Sequence, residues 1–245
     1  MFRTLKSDIQ AVLHRDPAAR SALEVMLCYP GFRAIRMHRR ANFFYTRGMK
    51  LLGRMISESC RFRTGIDIHP AATIGKRLFI DHGVGVVIGE TAVIGDDVTI
   101  YQGATLGGTG KDVGKRHPTL GDHVTVSAGA AVLGPVTVGS HAKIGAGAVV
   151  LKDVPPFSTV VGVPGHVVRL YGCKVPCDKV GQCDDGNCDC VGTELCVRTR
   201  ENLGGEAGVD LNQTDLPDPI ELQLQALIKR VEALEAGKNS GNPEK

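Results

Sequence analysis

The stretch VVIGETAVIGDDVTIYQGATL, residues 86–106, places aliphatic side chains at Ile88, Ile94, Ile100 and Leu106, six residues apart each time. The same step precedes it at Ile68, Ile74 and Ile80, and follows it at Leu120, Val126, Val132, Val138, Ile144 and Val150. A glycine follows many of these positions, as at Gly75, Gly89, Gly95, Gly107, Gly121, Gly139 and Gly145. A second small or β-branched residue falls four places on, as at Ala92, Val98, Ala104, Val124, Ala130, Val136, Ala142 and Ala148. A period of six matches neither the 3.6-residue helix nor the two-residue strand. It predicts a parallel β-helix of triangular section, each hexapeptide forming one flat side and three making a coil of about 18 residues. The aliphatic residue then points into a narrow bore, and the glycine helps the chain turn the corner.

Known hexapeptide proteins coil left-handed, against the usual right-handed crossover. The expected fold class is therefore mainly β: a left-handed parallel β-helix with an N-terminal α-helical domain and a C-terminal Cys-rich segment plus helix. Composition agrees. The chain has 245 residues, 31 of them Gly, with 4% aromatic residues and no Trp, which suits a thin core of small side chains. The glycines lack a G-X-Y period, so collagen is excluded, and a hydrophobic share of 42% excludes wholesale disorder. No run of about 18 apolar residues predicts a membrane span. The start, MFRTLKSDIQAVLHRD, lacks the apolar core of a signal peptide. A cytoplasmic location with reduced thiols is expected.

The repeat breaks twice. Two residues are extra between Ile80 and Ile88, and the interval from Leu106 to Leu120 carries an excursion over residues 108–118. Insertions in a solenoid project outward and often form the binding face. These two places hold Asp81-His82 and Arg116-His117, so chemistry concentrates where the period fails.

Three zones follow: a helical domain over 1–63, the β-helix over 64–170 with its loop 108–118, and a tail over 171–245. Net charge is +9 over 1–63, zero over 64–171 and −6 over 172–245. The basic zone has no interleaved aromatic residues or known motif, so nucleic acid is not the expected partner. In the first zone Asp16-Pro17 reads as a helix N-cap followed by Pro at the first helical position. Leu23, Met26 and Leu27 then share one helical face. Tyr29-Pro30-Gly31 reads as a breaker, with a second helix from Phe32 to Asn42 and a third to about Cys60. Phe43, Phe44, Leu51, Leu52, Met55 and Ile56 are expected to supply that third helix's buried stripe. In the tail, six cysteines (Cys173, Cys177, Cys183, Cys188, Cys190 and Cys196) precede a Gly/Asn/Asp-rich linker and an amphipathic helix from Ile220 to Ala236.

Four motifs stand in order: Asp67-Ile68-His69-Pro70, Ile80-Asp81-His82-Gly83, Gly107-Gly108-Thr109-Gly110-Lys111 and Arg116-His117-Pro118. With Asp16-Pro17-Ala18 before them and Gly162-Val163-Pro164-Gly165 after, the chain closely resembles the serine O-acetyltransferases over about residues 16–170. These hexapeptide enzymes acetylate L-serine with acetyl-CoA in cysteine biosynthesis. Such a reaction needs a base within reach of a weakly acidic hydroxyl, and histidine has a suitable pKa. A carboxylate on the second ring nitrogen would fix its tautomer. The resemblance implies that His82 is the base and Asp67 its carboxylate. It also implies that Arg116 and His117 hold the serine carboxylate, and that Asp16 and Asp81 serve the amine and hydroxyl side. CoA is expected in a groove between subunits of a homotrimer, near Gly108, Ala128, Lys143 and Ala146, with backbone N–H groups around Gly107 and Gly108 facing the oxyanion. No metal is required by this chemistry. His69 and His123 read as structural.

Two other classes compete. A hexapeptide carbonic anhydrase binds zinc through His from adjacent subunits, and His82, His117 and His123 could be read as such ligands, but the Asp-His and Gly-Gly-Thr-Gly-Lys motifs argue against it. A non-enzymatic trimeric scaffold would use the Cys-rich segment to bind metal. The six-cysteine spacing contains no C-x2-C pair, so Zn²⁺ or an iron–sulfur cluster, disulfides and free thiols all remain open for it. The chain begins close to Asp16, without the long helical extension that pairs trimers into hexamers in many relatives, so a trimer is expected before a hexamer. The tail ends Pro243-Glu244-Lys245 rather than in the Ile that relatives insert into cysteine synthase, so that complex is not expected.

Overall fold

Four helices precede the strands in the computed structural model, which describes residues 2–110, 113–170 and 173–174 and the positions 224, 227, 228, 230 and 231. They are α1 (Phe2–Arg15), α2 (Ala22–Cys28), α3 (Pro30–Thr46) and α4 (Lys50–Thr64). Asp16 is not the expected N-cap. Its amide closes the last turn of α1 on the Val12 carbonyl at 2.9 Å, and its carboxylate accepts from the Ala18 N–H at 2.8 Å. Ser21 caps α2 instead: its hydroxyl accepts from the Glu24 N–H, while the Glu24 carboxylate accepts from the N–H of Arg20, the residue before the cap. Pro30 does open a helix, at its first position.

The expected apolar stripes are also corrected. Leu23, Met26 and Leu27 face solvent, and so do Phe43, Leu51, Leu52 and Met55. What α4 buries is Gly53, Ser57, Cys60 and Thr64. Small residues let α4 approach closely: a Cβ on Gly53 would lie 2.8 Å from Cβ of Tyr45, and the Ser57 hydroxyl donates to the Ile68 carbonyl at 2.7 Å. Ala34 and Ile35 of α3 and Cys60 of α4 join the same buried cluster as the inward aliphatics, so these helices close one end of the bore.

The strands follow in hexapeptide order: β1 (Asp67–Ile68), β2 (Thr73–Ile74), β3 (Phe79–Ile80), β4 (Val87–Ile88), β5 (Val93–Ile94), β6 (Thr99–Ile100), β7 (Thr105–Gly107), β8 (Thr119–Leu120), β9 (Thr125–Val126), β10 (Ala131–Leu133), β11 (Thr137–Val138), β12 (Lys143–Ile144) and β13 (Val149–Val150). Each third strand stacks in parallel on the last, which makes three faces. The first face runs β1-β4-β7-β10-β13, the second β2-β5-β8-β11 and the third β3-β6-β9-β12. This is the left-handed β-helix, with the expected residues in register: Ile68 on Ile88, Leu106, Val132 and Val150; Ile74 on Ile94, Leu120 and Val138; Ile80 on Ile100, Val126 and Ile144. The third face continues into β14 (Ser158–Val161), where antiparallel β15 (His166–Leu170) and β16 (Cys173–Lys174) end the solenoid.

Three edges separate the faces. The edge from the third face to the first carries residues 81–86 and, below them, Gly103, Gly129 and Gly147 with φ of 66–70°, values that favour glycine. The edge from the first to the second carries 69–72, 89–92 and the loop 108–118. The remaining edge holds Arg77, Asp97, His123, His141 and Phe157, all left-handed with φ of 56–62°. His123, His141 and Phe157 stack ring on ring at 4.6 Å.

The helical domain is mounted on the third face. Phe79 projects outward from β3 into a small core of Val12, Val25 and Phe32. Gly31 is required there, because a Cβ would stand 2.0 Å from the Ile80 carbonyl oxygen. Arg15, at the end of α1, pairs with Asp97 at 2.7 Å, and Arg77 pairs with the same carboxylate at 2.5 Å. Together they fix where Asp16 lies.

Candidate active site

Two groups of functional side chains form, on two different edges. The first gathers around the two-residue insertion at 81–86. His82 adopts φ 54°, its side chain is 74% exposed, and its ring stands 4.0 Å from the Asp81 carboxylate. Asp81 in turn accepts from the His82 backbone N–H at 2.8 Å. Asp16 arrives from the helical domain and accepts from the Tyr29 hydroxyl at 2.6 Å. Tyr101, one coil further, completes the group. Burial, then the charges of Asp81 and Asp16, push its phenol up to about 12. Burial and the Asp16 bond raise the Tyr29 phenol as well. Two carboxylates and an exposed imidazole here suit an ammonium and a hydroxyl.

The second group lines a cleft of about 270 Å³ on the first face, among Arg54, Asp67, His69, Glu90, Arg116 and His117. The excursion 108–118 returns onto Thr91. The Thr91 hydroxyl accepts from the N–H of Arg116 at 3.0 Å and of His117 at 3.1 Å, and lies 2.9 Å from Nδ1 of His117. The Thr91 N–H also donates to that Nδ1, at 3.2 Å. Nδ1 is therefore an acceptor, and the neutral ring carries its proton on Nε2. Burial, then the Arg116 charge, lowers the His117 pKa and favours this neutral form. Gly89 leaves room for the ring, since a Cβ there would meet its Cδ2 at 1.9 Å. Arg116 is oriented by Glu90 at 2.5 Å, and that bond holds the Glu90 carboxyl below its usual range. A guanidinium beside an imidazole N–H is a carboxylate receptor.

The structure thus brings Asp16, Asp81 and His82 together, and separately Asp67, Arg116 and His117. Among the described residues no ion pair within 4.0 Å joins Asp67 to His82, because the left-handed His82 directs its ring to solvent. Asp67 begins the first face, level with Val87 and so next to the His82 edge, while its side chain lines the cleft of the second group. Of the residues expected at CoA, Ala128 and Ala146 lie on the His82 edge, Lys143 starts the third-face strand leading to it, and Gly108 lies on the His117 edge. The backbone N–H groups of Gly107 and Gly108 stand where the first face ends.

His82, His117 and His123 occupy three different edges, so one chain cannot gather them on one metal. Among the described residues no cluster of three or more His, Cys, Asp or Glu is arranged to hold an ion. The six-cysteine segment lies outside the described residues, apart from the backbone of Cys173, and Cys28 and Cys60 are free thiols. No helix among the described residues is long and apolar enough to cross a membrane. Sequence reasoning missed Thr91, Glu90, Tyr29 and Tyr101. The signal for Glu90-Thr91 was a polar pair at the corner beneath the excursion.

A triangular β-helix of hexapeptides with an exposed imidazole on one edge and an arginine–histidine pair on the next is the architecture of the hexapeptide-repeat transferases. The bacterial transferase hexapeptide profile matches residues 117–152, and the serine acetyltransferase N-terminal profile matches residues 1–37. The serine acetyltransferase of Bacillus pumilus is 51% identical over 233 residues, covering 95% of this chain and 93% of its own. The crystal structure of Neisseria gonorrhoeae serine acetyltransferase in complex with serine superposes with a TM-score of 0.65 at 44% identity, covering 67% of each chain. A serine acetyltransferase solved in complex with CoA superposes with the same score at 43% identity, covering 68% of this chain and 69% of its own. The chain belongs to the serine acetyltransferase family.

Proposed function

We propose that the protein transfers the acetyl group of acetyl-CoA to the hydroxyl of L-serine, with His82 as general base and Asp67 as its carboxylate. The observation that carries this reading is the complementary chemistry of the two groups. Arg116 and the Nε2–H of His117 are donors for the serine carboxylate, and Asp16 and Asp81 are acceptors for its ammonium. As the hydroxyl oxygen attacks the thioester carbon, His82 takes its proton. The N–H groups of Gly107 and Gly108 face the developing oxyanion. Collapse expels the CoA thiolate, which takes the proton back from His82, leaving O-acetylserine and CoA. No step calls on a metal.

The two groups lie on opposite edges of the first face, so one chain does not close the site. In a homotrimer, a heterologous ring sets the His82 edge of one copy beside the His117 edge of the next. That placement also joins Gly108 to Ala128, Lys143 and Ala146 as one CoA groove, and brings a neighbouring Asp67 within range of the His82 ring.

Steady-state acetyl transfer with serine and homoserine, with and without a chelator, tests the reading beside His82→Ala. Serine should be preferred, the chelator should have no effect, and His82→Ala should lower kcat by about 10²–10⁴. Preference for another acceptor would leave the fold and remove the substrate.

A further inference from the structure

Asp16 sits in the short turn between α1 and α2, with Pro17 and Ala18 exposed beside it. A carboxylate on such a turn is free to rotate unless both its oxygens are held. One is held locally, by the Ala18 N–H at 2.8 Å. The other is held from 13 residues away, by the Tyr29 hydroxyl at 2.6 Å. Tyr29 can do this because its own place is fixed. It caps the start of α3 immediately before Pro30, and its ring packs on the core of Val12, Val25, Phe32 and Phe79 that mounts the helical domain on the β-helix. The same phenol faces the charge of Asp81, on the edge that carries His82. Tyr29 is thus a strut from the rigid junction of helices and β-helix to a carboxylate on a turn.

We propose that Tyr29 is a positioning residue for serine recognition: its hydroxyl locks the Asp16 carboxylate in the orientation that receives the substrate ammonium. This rests on the reading of Asp16 as part of the serine site. Tyr29 exchanges no proton and forms no bond with substrate; it acts through Asp16 alone.

That claim predicts non-additivity. A hydrogen bond to a charged group is worth about tenfold in binding, so Tyr29→Phe should raise the KM for serine about tenfold. The KM for acetyl-CoA should stay at the parent value, and the melting midpoint should fall only by what one lost hydrogen bond costs, because the ring remains in its core. Asp16→Ala removes the same bond from its other end without touching the core, and should raise the serine KM at least as far. The double variant should then match Asp16→Ala, since Tyr29 has nothing left to orient. Additive effects in this cycle, or a parental serine KM in Tyr29→Phe beside a raised one in Asp16→Ala, would overturn the role of Tyr29 while leaving Asp16 in the site. A parental serine KM in Asp16→Ala would overturn the reading of Asp16, and the proposal with it.

Discussion

Thr91 shows how much a single side chain decides at the second group. Its hydroxyl takes two backbone N–H groups and offers its one proton to Nδ1 of His117, which uses its full hydrogen-bonding capacity. Thr91→Val keeps the shape and removes all three bonds. We expect the serine KM to rise about tenfold or more, with the KM for acetyl-CoA unchanged, in initial-rate measurements varying each substrate in turn. An unaltered serine KM would mean that the Thr91 N–H, which Val retains, is enough to hold His117. The motifs made Arg116 and His117 legible in the sequence as candidate substrate ligands, but not their support. A threonine after Gly89-Glu90 reads as an ordinary corner residue until the excursion is seen to fold back over it. The expected Asp67–His82 pair came from the family resemblance, which carries residue identity and order but no side-chain geometry. A motif does not register that residue 82 is left-handed with its ring exposed to solvent.

At the scale of elements, the solenoid was legible almost residue by residue, because its inward face writes a period of six directly into the sequence. Ile100 illustrates the cost of breaking it. It is fully buried between Ile80 and Val126, and Ile100→Ala should destabilise the fold by about 2–5 kcal/mol, readable as a lower denaturant midpoint with an unchanged slope. The helices were less legible. Leu23, Leu51 and Met55 follow helical spacing yet face water, since the close approach of α4 to its neighbours selects small residues at the contact. His38 on α3 was not singled out, although it is buried, with Nδ1 lacking a hydrogen-bond partner. Burial, then the neighbouring charge of Arg39, lowers its pKa to about 4. The folded state therefore holds His38 neutral over a range in which the unfolded chain takes up a proton. Its contribution is intact above about pH 6.5 and is lost as pH falls from there towards 4, by up to roughly 3 kcal/mol. Melting midpoints should fall over that window, and His38→Asn should flatten the fall relative to the parent. Equal slopes in both proteins would place the effect on other histidines, of which His69, His117 and His141 are also lowered by burial.

For the whole molecule, the decisive geometry is that His82 and the Arg116–His117 pair, the proposed base and carboxylate receptor, stand on opposite edges of one face. Neither edge is a site alone, and nothing within one chain moves one towards the other, because the face between them is a hydrogen-bonded parallel sheet of five strands. The closed ring of copies proposed above would solve this by heterologous contact, and it makes a prediction that an intact site within one chain does not. His82→Ala disables the first edge and leaves the second whole; Arg116→Ala does the reverse. Each homotrimer should be nearly inactive. Co-expressed and purified through two tags, every trimer is mixed, and each such ring has one interface of its three that joins an intact His82 edge to an intact Arg116 edge. About a third of the parental activity should return, with the parental KM for serine in the restored sites. Mixing the purified homotrimers without subunit exchange should return none. If the co-expressed mixture also stays inactive, base and receptor act within a single chain, and the first face must bend in a way that its register of Ile68, Ile88, Leu106, Val132 and Val150 gives no means to do.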